Sequence, residues 1–321
     1  MPVVAVRRRR LRGLVILLGL LVVTAGTTAV GSGIVSEQPP PQSRVGSTPD
    51  PAPEPMAAET TPDAQPQPQP EPLDLQPGIA AATALAAQAG TNVGIAVLDR
   101  QSDRLWTNGP PATEPVWVAS IAKLFIADNL LHRQQTGDLQ LTLQDRQLLE
   151  SALRLSDDGA ADSLYYAYGT ESMITEVATR YGLPNITPSN QAGEWELTSV
   201  SAVDLVTYLD AFIDTAVPTD VDFVLRQLRT SPEIASDGFD QYFGIPAALP
   251  GQAWGIKQAW MCCPRDTSYL NTSGVLGTDN RYTVAIFTQT PGGDLSRGLI
   301  DQIAVAVLPP DLLQRSTAPA G

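Results

Sequence analysis

The spacing of apolar residues divides the chain, from about residue 79 onward, into strands, then helices, then strands again. Alternating apolar and polar positions in 92–109 are typical of a β-hairpin. Between 120 and 230, apolar residues recur three and four positions apart, which predicts a run of amphipathic helices. Strand-like composition returns in 253–290, and 295–308 has the pattern of a closing amphipathic helix.

This order of elements predicts an α+β fold. The strands near both ends of 79–312 can form one antiparallel sheet, flanked by an alanine-rich helix in 78–90 and by the closing helix. The helical middle of the chain then forms an inserted all-helical subdomain. We expect a ligand-binding cleft between the sheet and this subdomain. Residues 313–321 are predicted to be a short tail.

The first 78 residues have a different character. Five arginines precede the uncharged apolar run at 14–31, so 1–35 is predicted to be a signal peptide or a signal anchor in the cytoplasmic membrane, with the rest exported. Cleavage would secrete the protein. No cysteine directly follows the run, so a lipid anchor at that position is not expected. Residues 36–78 hold 13 of the 28 prolines and predict a disordered, Pro-rich linker.

Composition excludes several kinds of function. Without the five N-terminal arginines, 15 basic and 34 acidic residues remain, so nucleic acid is not an expected partner. His132 is the only histidine, and on a continuous helix it lies about 18 Å from Ser120, which excludes a Ser-His-Asp triad there. Neither a metal site nor any cofactor is expected. Cys262 and Cys263 are adjacent, and they form either a vicinal disulfide or two free thiols.

The candidate chemistry begins with Ser120 and Lys123. Residues three apart share one face of a helix, so the lysine amine can reach the serine hydroxyl. A lysine whose pKa is lowered can take the proton of a serine and make it a nucleophile. Of the 20 basic residues 18 are arginine, which cannot act as a base, so each lysine is of interest. Alone, the spacing also fits a capping serine and a solvent-facing lysine.

Two other segments could complete a site. Lys257, the second lysine, lies in a strand-like segment whose alternation places Gly255 and Ala259 on the same side. Ser156 and Asp158 fall in a predicted turn between two helices. Taken separately, these segments fit a sheet-surface lysine and a helix-capping turn.

Together the three segments resemble the penicillin-recognising serine hydrolases, which include the class A β-lactamases and the D-alanyl-D-alanine peptidases. The stretch "SIAK" matches their S-x-x-K motif, "SDD" stands where they have S-D-N, and "KQA" stands where they have K-T-G or K-S-G. The resemblance covers roughly 79–310. It implies a β-lactamase-like fold and, as substrate, a β-lactam or a peptidoglycan stem peptide.

The resemblance also implies roles for individual residues. Ser120 would be the acylated nucleophile, Lys123 its base and Ser156 a proton shuttle to the leaving group. Backbone N–H groups of Ser120 and Trp260 would form the oxyanion hole. The implied substrate-binding residues are Asp158, Lys257, Gln258 and Ala259.

Departures from the family pattern leave two hypotheses open. Asp158 replaces an asparagine, and Glu194 and Glu196 stand in a loop that lacks the E-x-x-L-N pattern of the deacylating glutamate. We therefore expect an exported serine acyl hydrolase with slow deacylation. The alternative is a catalytically degenerate protein of the same fold that binds the cell wall or a partner.

Overall fold

The computed structural model of the protein describes residues 73–293, 295 and 297–315. The predicted signal segment at 1–35, most of the predicted linker and the end of the tail lie outside the described residues. None of the helices among the described residues is long and apolar enough to cross a lipid bilayer.

Helices occupy both ends and the middle of the described chain. They are α1 (Gln76–Gln88), α2 (Ala122–Thr136), α3 (Leu143–Arg154), α4 (Asp158–Tyr168), α5 (Glu171–Tyr181), α6 (Ala202–Thr215), α7 (Pro218–Arg229), α8 (Ile245–Ala248), α9 (Arg297–Val307) and α10 (Leu312–Arg315). The strands are β1 (Asn92–Asp99), β2 (Arg104–Thr107), β3 (Val116–Trp117), β4 (Ser199–Val200), β5 (Trp254–Ile256), β6 (Ala259–Met261), β7 (Thr267–Leu276) and β8 (Tyr282–Pro291).

The main sheet is antiparallel and combines strands from both ends of the domain. Its order is β2-β1-β8-β7-β5, and β6 also pairs with β7. The first strand after α1 lies beside the last strand of the domain, with Ile95 opposite Ile286. The predicted α+β fold, with one sheet built from N- and C-terminal strands and a helical insert, is therefore confirmed.

Two apolar cores lie on the two faces of this sheet. One face packs against α1, α8 and α9, and the other against the helical insert. Alternate strand residues divide between the two cores, as the period of two in a strand requires. Within the insert, α2 is buried from Ala122 to Leu131 without interruption. Polar residues in this stretch therefore need partners inside the protein.

The folded domain begins before the boundary predicted from the sequence. Leu75 is buried in the core beneath α1, and Asp74 accepts a hydrogen bond from the Trp106 indole at 3.1 Å. Pro77, which lies within the predicted linker, is at the start of α1. Proline is tolerated there because the first N–H groups of a helix have no intrahelical partner. The segment from Leu73 to Gly78 is thus part of the domain.

Candidate active site

Ser120 and Lys123 meet at the start of α2. Ser120 lies in a short 3-10 helix, Ala119–Ile121, that leads directly into α2, and Lys123 lies in the first turn of α2. The Lys123 Nζ atom is 2.9 Å from the Ser120 Oγ atom. Ala119, just before the serine, has a φ of +44°, which is strained for a residue with a side chain. Such strain is concentrated at functional sites.

Lys123 is only 1% exposed, and polar partners surround its ammonium group. The Nζ atom lies 2.6 Å from the Ser156 carbonyl oxygen and 2.5 Å from Asp158 Oδ1. Burial lowers the pKa of Lys123, the Asp158 carboxylate opposes this effect, and the net pKa is below that of an ordinary lysine. A lysine in this state can give up its proton and serve as a base.

A tight turn between α3 and α4 holds Ser156. Asp157 caps α4 by accepting a backbone N–H of the first turn at 3.1 Å, and it also accepts the Ser151 hydroxyl at 2.8 Å. Ser156 is 4% exposed and has a φ of +57°. The Asp158 side chain remains 68% exposed although it contacts Lys123, so a ligand in the cleft can reach it.

Lys257 reaches Ser156 from the sheet. It stands between β5 and β6, and its Nζ atom is 2.7 Å from the Ser156 Oγ atom. Its backbone N–H donates to the Ser273 carbonyl at 2.9 Å, and its own carbonyl accepts the Ser273 hydroxyl at 2.7 Å. Burial, with the nearby Lys123 charge, lowers the pKa of Lys257 well below the ordinary value. The predicted residues Ser120, Lys123, Ser156 and Lys257 thus form one continuous network.

The two residues after Lys257 point to opposite faces of the sheet. Ala259 shares the Lys257 face, as predicted from strand alternation, and is buried in the core under the helical insert. The Gln258 side chain lies on the other face, where its amide donates to the carbonyls of Gln241 and Phe243 at 3.0 and 2.6 Å. The side chain of Gln258, a predicted substrate-binding residue, therefore lies on the opposite face from that of Lys257, because successive residues of a strand point to opposite faces of the sheet.

Trp260 offers its backbone rather than its side chain to the cleft. The N–H groups of an antiparallel strand alternate in direction, and that of Lys257 donates to β7, so the N–H of Trp260 points away from β7. β6 lies against the 3-10 helix that carries Ser120. The Trp260 ring stacks on Phe239 with centroids 4.5 Å apart, and its Nε1 donates to Asp237 at 2.9 Å.

The sequence interpretation missed Trp195 as a site residue. This residue is 3% exposed, its ring centre lies 4.8 Å from the Lys123 Nζ atom, and its Nε1 donates to Asp162 at 2.7 Å. It follows Glu194, and Glu194 and Leu197 match the first and fourth positions of E-x-x-L-N. That partial match is the signal that could have identified the segment.

The two glutamates of this loop flank the tryptophan. Glu194 is exposed and Glu196 is partly buried. Burial, followed by the interaction with Glu194, raises the pKa of Glu196 to about 7. The side chain that lies over Lys123 is the indole of Trp195, which cannot act as a general base toward a water molecule.

The edge of the cleft after β6 contains a disulfide bond. Of the two alternatives left open by the sequence, the structure has Cys262 and Cys263 bonded to each other. Both sulfur atoms lie near the Gly293 carbonyl oxygen, at 3.4 and 3.3 Å. The guanidinium of Arg265 lies 5.1 Å from the ring centre of Trp117, three residues before Ser120. This segment therefore connects the edge of the sheet to the residues that directly precede Ser120.

Comparison with known proteins identifies relatives. No protein-family model matches the chain. "Putative lipoprotein LppW" of Mycobacterium tuberculosis and that of Mycobacterium bovis are 35% identical to it over 240 residues, which cover 74% of this chain and 76% of each relative.

Solved structures with the same fold include several β-lactamases. TLA-3 extended-spectrum β-lactamase is 14% identical, with a TM-score of 0.59, over 73% of this chain and 98% of that one. The β-lactamase of Streptosporangium roseum is 16% identical, with a TM-score of 0.59, over 74% and 97%. That of Streptomyces albus G is 18% identical, with a TM-score of 0.57, over 72% and 98%. The chain therefore belongs to the family of the mycobacterial LppW proteins, and its fold is that of the penicillin-recognising serine hydrolases.

Proposed function

We propose that this protein is a serine acyl hydrolase that forms an acyl-enzyme on Ser120 with β-lactams or with D-alanyl peptides of the cell wall. The observation that carries the proposal is a set of three contacts that connects Ser120 to Lys257. The Lys123 Nζ atom lies 2.9 Å from the Ser120 Oγ atom and 2.6 Å from the Ser156 carbonyl oxygen. The Ser156 Oγ atom in turn lies 2.7 Å from the Lys257 Nζ atom. The solved proteins that share the fold, and that are named β-lactamases, support acyl chemistry at this position.

In the proposed acylation, neutral Lys123 takes the hydroxyl proton of Ser120 as the oxygen attacks the carbonyl carbon. Burial favours the neutral amine, and the 2.9 Å contact allows direct transfer. The oxyanion would accept the backbone N–H groups of Ser120 and Trp260. A carboxylate on the substrate would lie against Lys257.

The leaving nitrogen then needs a proton. Ser156 can donate its hydroxyl proton to that nitrogen and recover one from the ammonium group of Lys257, whose Nζ atom is 2.7 Å away. Lys257 then regains a proton from solvent, and Lys123 releases to solvent the proton that it took from Ser120. The carbon–nitrogen bond breaks, and the acyl group stays on Ser120. Asp158, exposed beside this path, would contact the acyl side chain of the substrate.

Deacylation is expected to be slow, because the side chain over Lys123 is the indole of Trp195. Unlike a carboxylate, an indole cannot activate the water molecule that hydrolyses an acyl-enzyme. Loss of a positioned general base costs about 10²–10⁴-fold in rate. A typical turnover of about 10 per second would then fall to roughly 0.001–0.1 per second. Acyl-enzyme should therefore accumulate.

The N-terminal sequence and the relatives of the protein support a proposal for its location. Five arginines before the apolar run at 14–31 favour an extracytoplasmic domain held at the membrane. The relatives are named as lipoproteins, which fits the same location. In this chain both cysteines lie at 262–263, so we propose that the apolar run, rather than a lipid, is the anchor.

Labelling with a fluorescent penicillin tests the proposal. We expect an intact-mass increase equal to one penicillin, which decays over roughly seconds to minutes after excess label is removed. The matched control compound is the same penicillin with its lactam ring already opened, which should leave the mass unchanged. If the intact penicillin also leaves no adduct at any time, the acyl-enzyme proposal is wrong and the non-catalytic alternative is favoured.

Replacing Asp158 by asparagine should speed acylation about tenfold at neutral pH. The carboxylate raises the pKa of Lys123 against the effect of burial, so its removal leaves more of the lysine neutral. The asparagine oxygen can still accept the lysine hydrogen bond. The labelling rate should be measured across pH, and its acidic limb should move to lower pH.

The matched control for this variant is Glu150→Gln, which removes one negative charge from an exposed position on α3. It should leave both the rate and the pH profile unchanged. A slower Asp158→Asn variant with an unmoved acidic limb would mean that Asp158 does not control the protonation of Lys123.

A further inference from the structure

A hairpin formed by residues 234–240, between α7 and α8, lies beside β6. Within it the Ala235 N–H donates to the Phe239 carbonyl at 2.9 Å, and Gly238 has a φ of +88°, which lets the chain reverse its direction. Asp237, at the tip, accepts the Phe239 N–H through its Oδ1 atom at 2.9 Å. The hairpin therefore holds the Asp237 side chain in a fixed direction.

This hairpin holds the Trp260 side chain from two sides. The Asp237 Oδ2 atom accepts the Trp260 Nε1 hydrogen at 2.9 Å. The Phe239 ring stacks on the indole, with ring centroids 4.5 Å apart and an angle of 13° between the ring planes. β6, which carries Trp260, has three residues and pairs only with β7 among the described strands. Because so short a strand has few ladder hydrogen bonds, the contacts of Trp260 help to hold its backbone.

The same hairpin reaches the turn that carries Ser156. The Ser236 N–H donates to the carbonyl of Leu155, the residue before Ser156, at 2.9 Å. The pKa values of both lysines in the site are lowered by burial, and the charge of Asp237 is among those that oppose this effect. The hairpin therefore lies along the cleft and contacts both the sheet and the helical insert.

We propose that Asp237 is a positioning residue that acts through Trp260. Its hydrogen bond to the indole keeps the backbone N–H of Trp260 aimed at the oxyanion that forms when Ser120 is acylated. This inference rests on the proposed reaction at Ser120. Loss of one oxyanion-hole donor costs about 10²–10³-fold in rate, and a donor that is displaced rather than lost should cost less, about tenfold.

Two variants of equal charge test the hydrogen bond. Asp237→Asn and Asp237→Ala both remove the negative charge, and only the asparagine keeps an oxygen that can accept the indole N–H. The measurement is the rate constant of acylation at saturating fluorescent penicillin, separated from the half-saturating concentration. Asp237→Ala should be about tenfold slower than Asp237→Asn, with an unchanged half-saturating concentration. Asp237 is exposed, so both variants should fold, which melting temperatures will check.

The Trp260→Phe background completes a double-mutant cycle. Phenylalanine keeps a ring that can stack on Phe239 and lacks the indole N–H, so Trp260→Phe alone should be about tenfold slower than the parent protein. In this background Asp237→Ala and Asp237→Asn should have equal rates. The matched control is Trp254→Phe, which removes an indole N–H that donates to the Leu249 carbonyl at 3.1 Å and should leave acylation unchanged.

Several outcomes would overturn the inference. These are equal rates of Asp237→Ala and Asp237→Asn in the parent background, a difference that persists with Trp260→Phe, or a change confined to the half-saturating concentration. If Asp237→Ala does not fold, a Trp260→Phe variant that labels at the parent rate overturns the inference on its own. A parent protein that forms no adduct would instead contradict the proposed reaction, and the inference would fall with it.

Discussion

Replacing Ser120 by alanine is expected to abolish covalent labelling by a fluorescent penicillin, with a rate loss of about 1,000-fold or more. The hydroxyl oxygen of Ser120 is the atom that would carry the acyl group, and among the described residues it is the hydroxyl that Lys123 contacts. The Ser120 side chain is small and its loss leaves α2 intact, so the variant should fold. Intact mass after incubation with label gives the measurement.

The matched control is Ser163→Ala, at an exposed position on α4. The Ser163 hydroxyl donates only to a carbonyl of its own helix, so this variant should label at the rate of the parent protein. Undiminished labelling of the Ser120→Ala protein would place the nucleophile elsewhere and would remove the basis for the mechanism.

Replacing Lys123 by arginine should slow labelling by about 10²–10⁴-fold, the range expected for loss of a general base. Arginine keeps the positive charge and can still pair with Asp158, but its guanidinium does not lose a proton in proteins. The lysine amine, in contrast, has a pKa lowered by burial and can be neutral when the serine attacks. The second-order labelling rate, measured across pH, checks this expectation.

Two further variants distinguish a role of Lys123 as a general base from a role of its positive charge. Lys257→Arg keeps a cation at the proposed carboxylate subsite, so it should lose much less activity than Lys123→Arg. Lys123→Met, similar in length and uncharged, should be as slow as Lys123→Arg, and its melting temperature will report whether the buried position tolerates the change. Labelling of Lys123→Arg at more than about a tenth of the parent rate would exclude a base role for Lys123.

Much of the fold could be predicted because its elements have clear periods. The alternation in 92–109 is the hairpin of β1 and β2, and the repeats in 143–155 and 170–182 correspond to α3 and α5. The boundary near Ile79 was less accurate. The sequence alone does not show whether a proline such as Pro77 belongs to a linker or to the first turn of a helix. The burial of Leu75 shows that this proline belongs to α1.

The site was predictable where a motif fixes local geometry and unpredictable where distant segments meet. Ser120 and Lys123 share one helical turn, so their contact follows from spacing alone. Lys257 and Ser156 are 101 positions apart, and only the resemblance to a known family linked them. Strand alternation could have shown that Gln258 faces away from Lys257.

The sequence by itself determined the order of strands and helices, the acidic character of the domain and the pairing of a serine with a lysine, because each depends on residues close together in the chain. Tertiary packing alone decided which groups surround that lysine. Its burial, the indole of Trp195 over its ammonium group and the carboxylate of Asp158 beside it depend on how α2, α4 and the loop before β4 pack together.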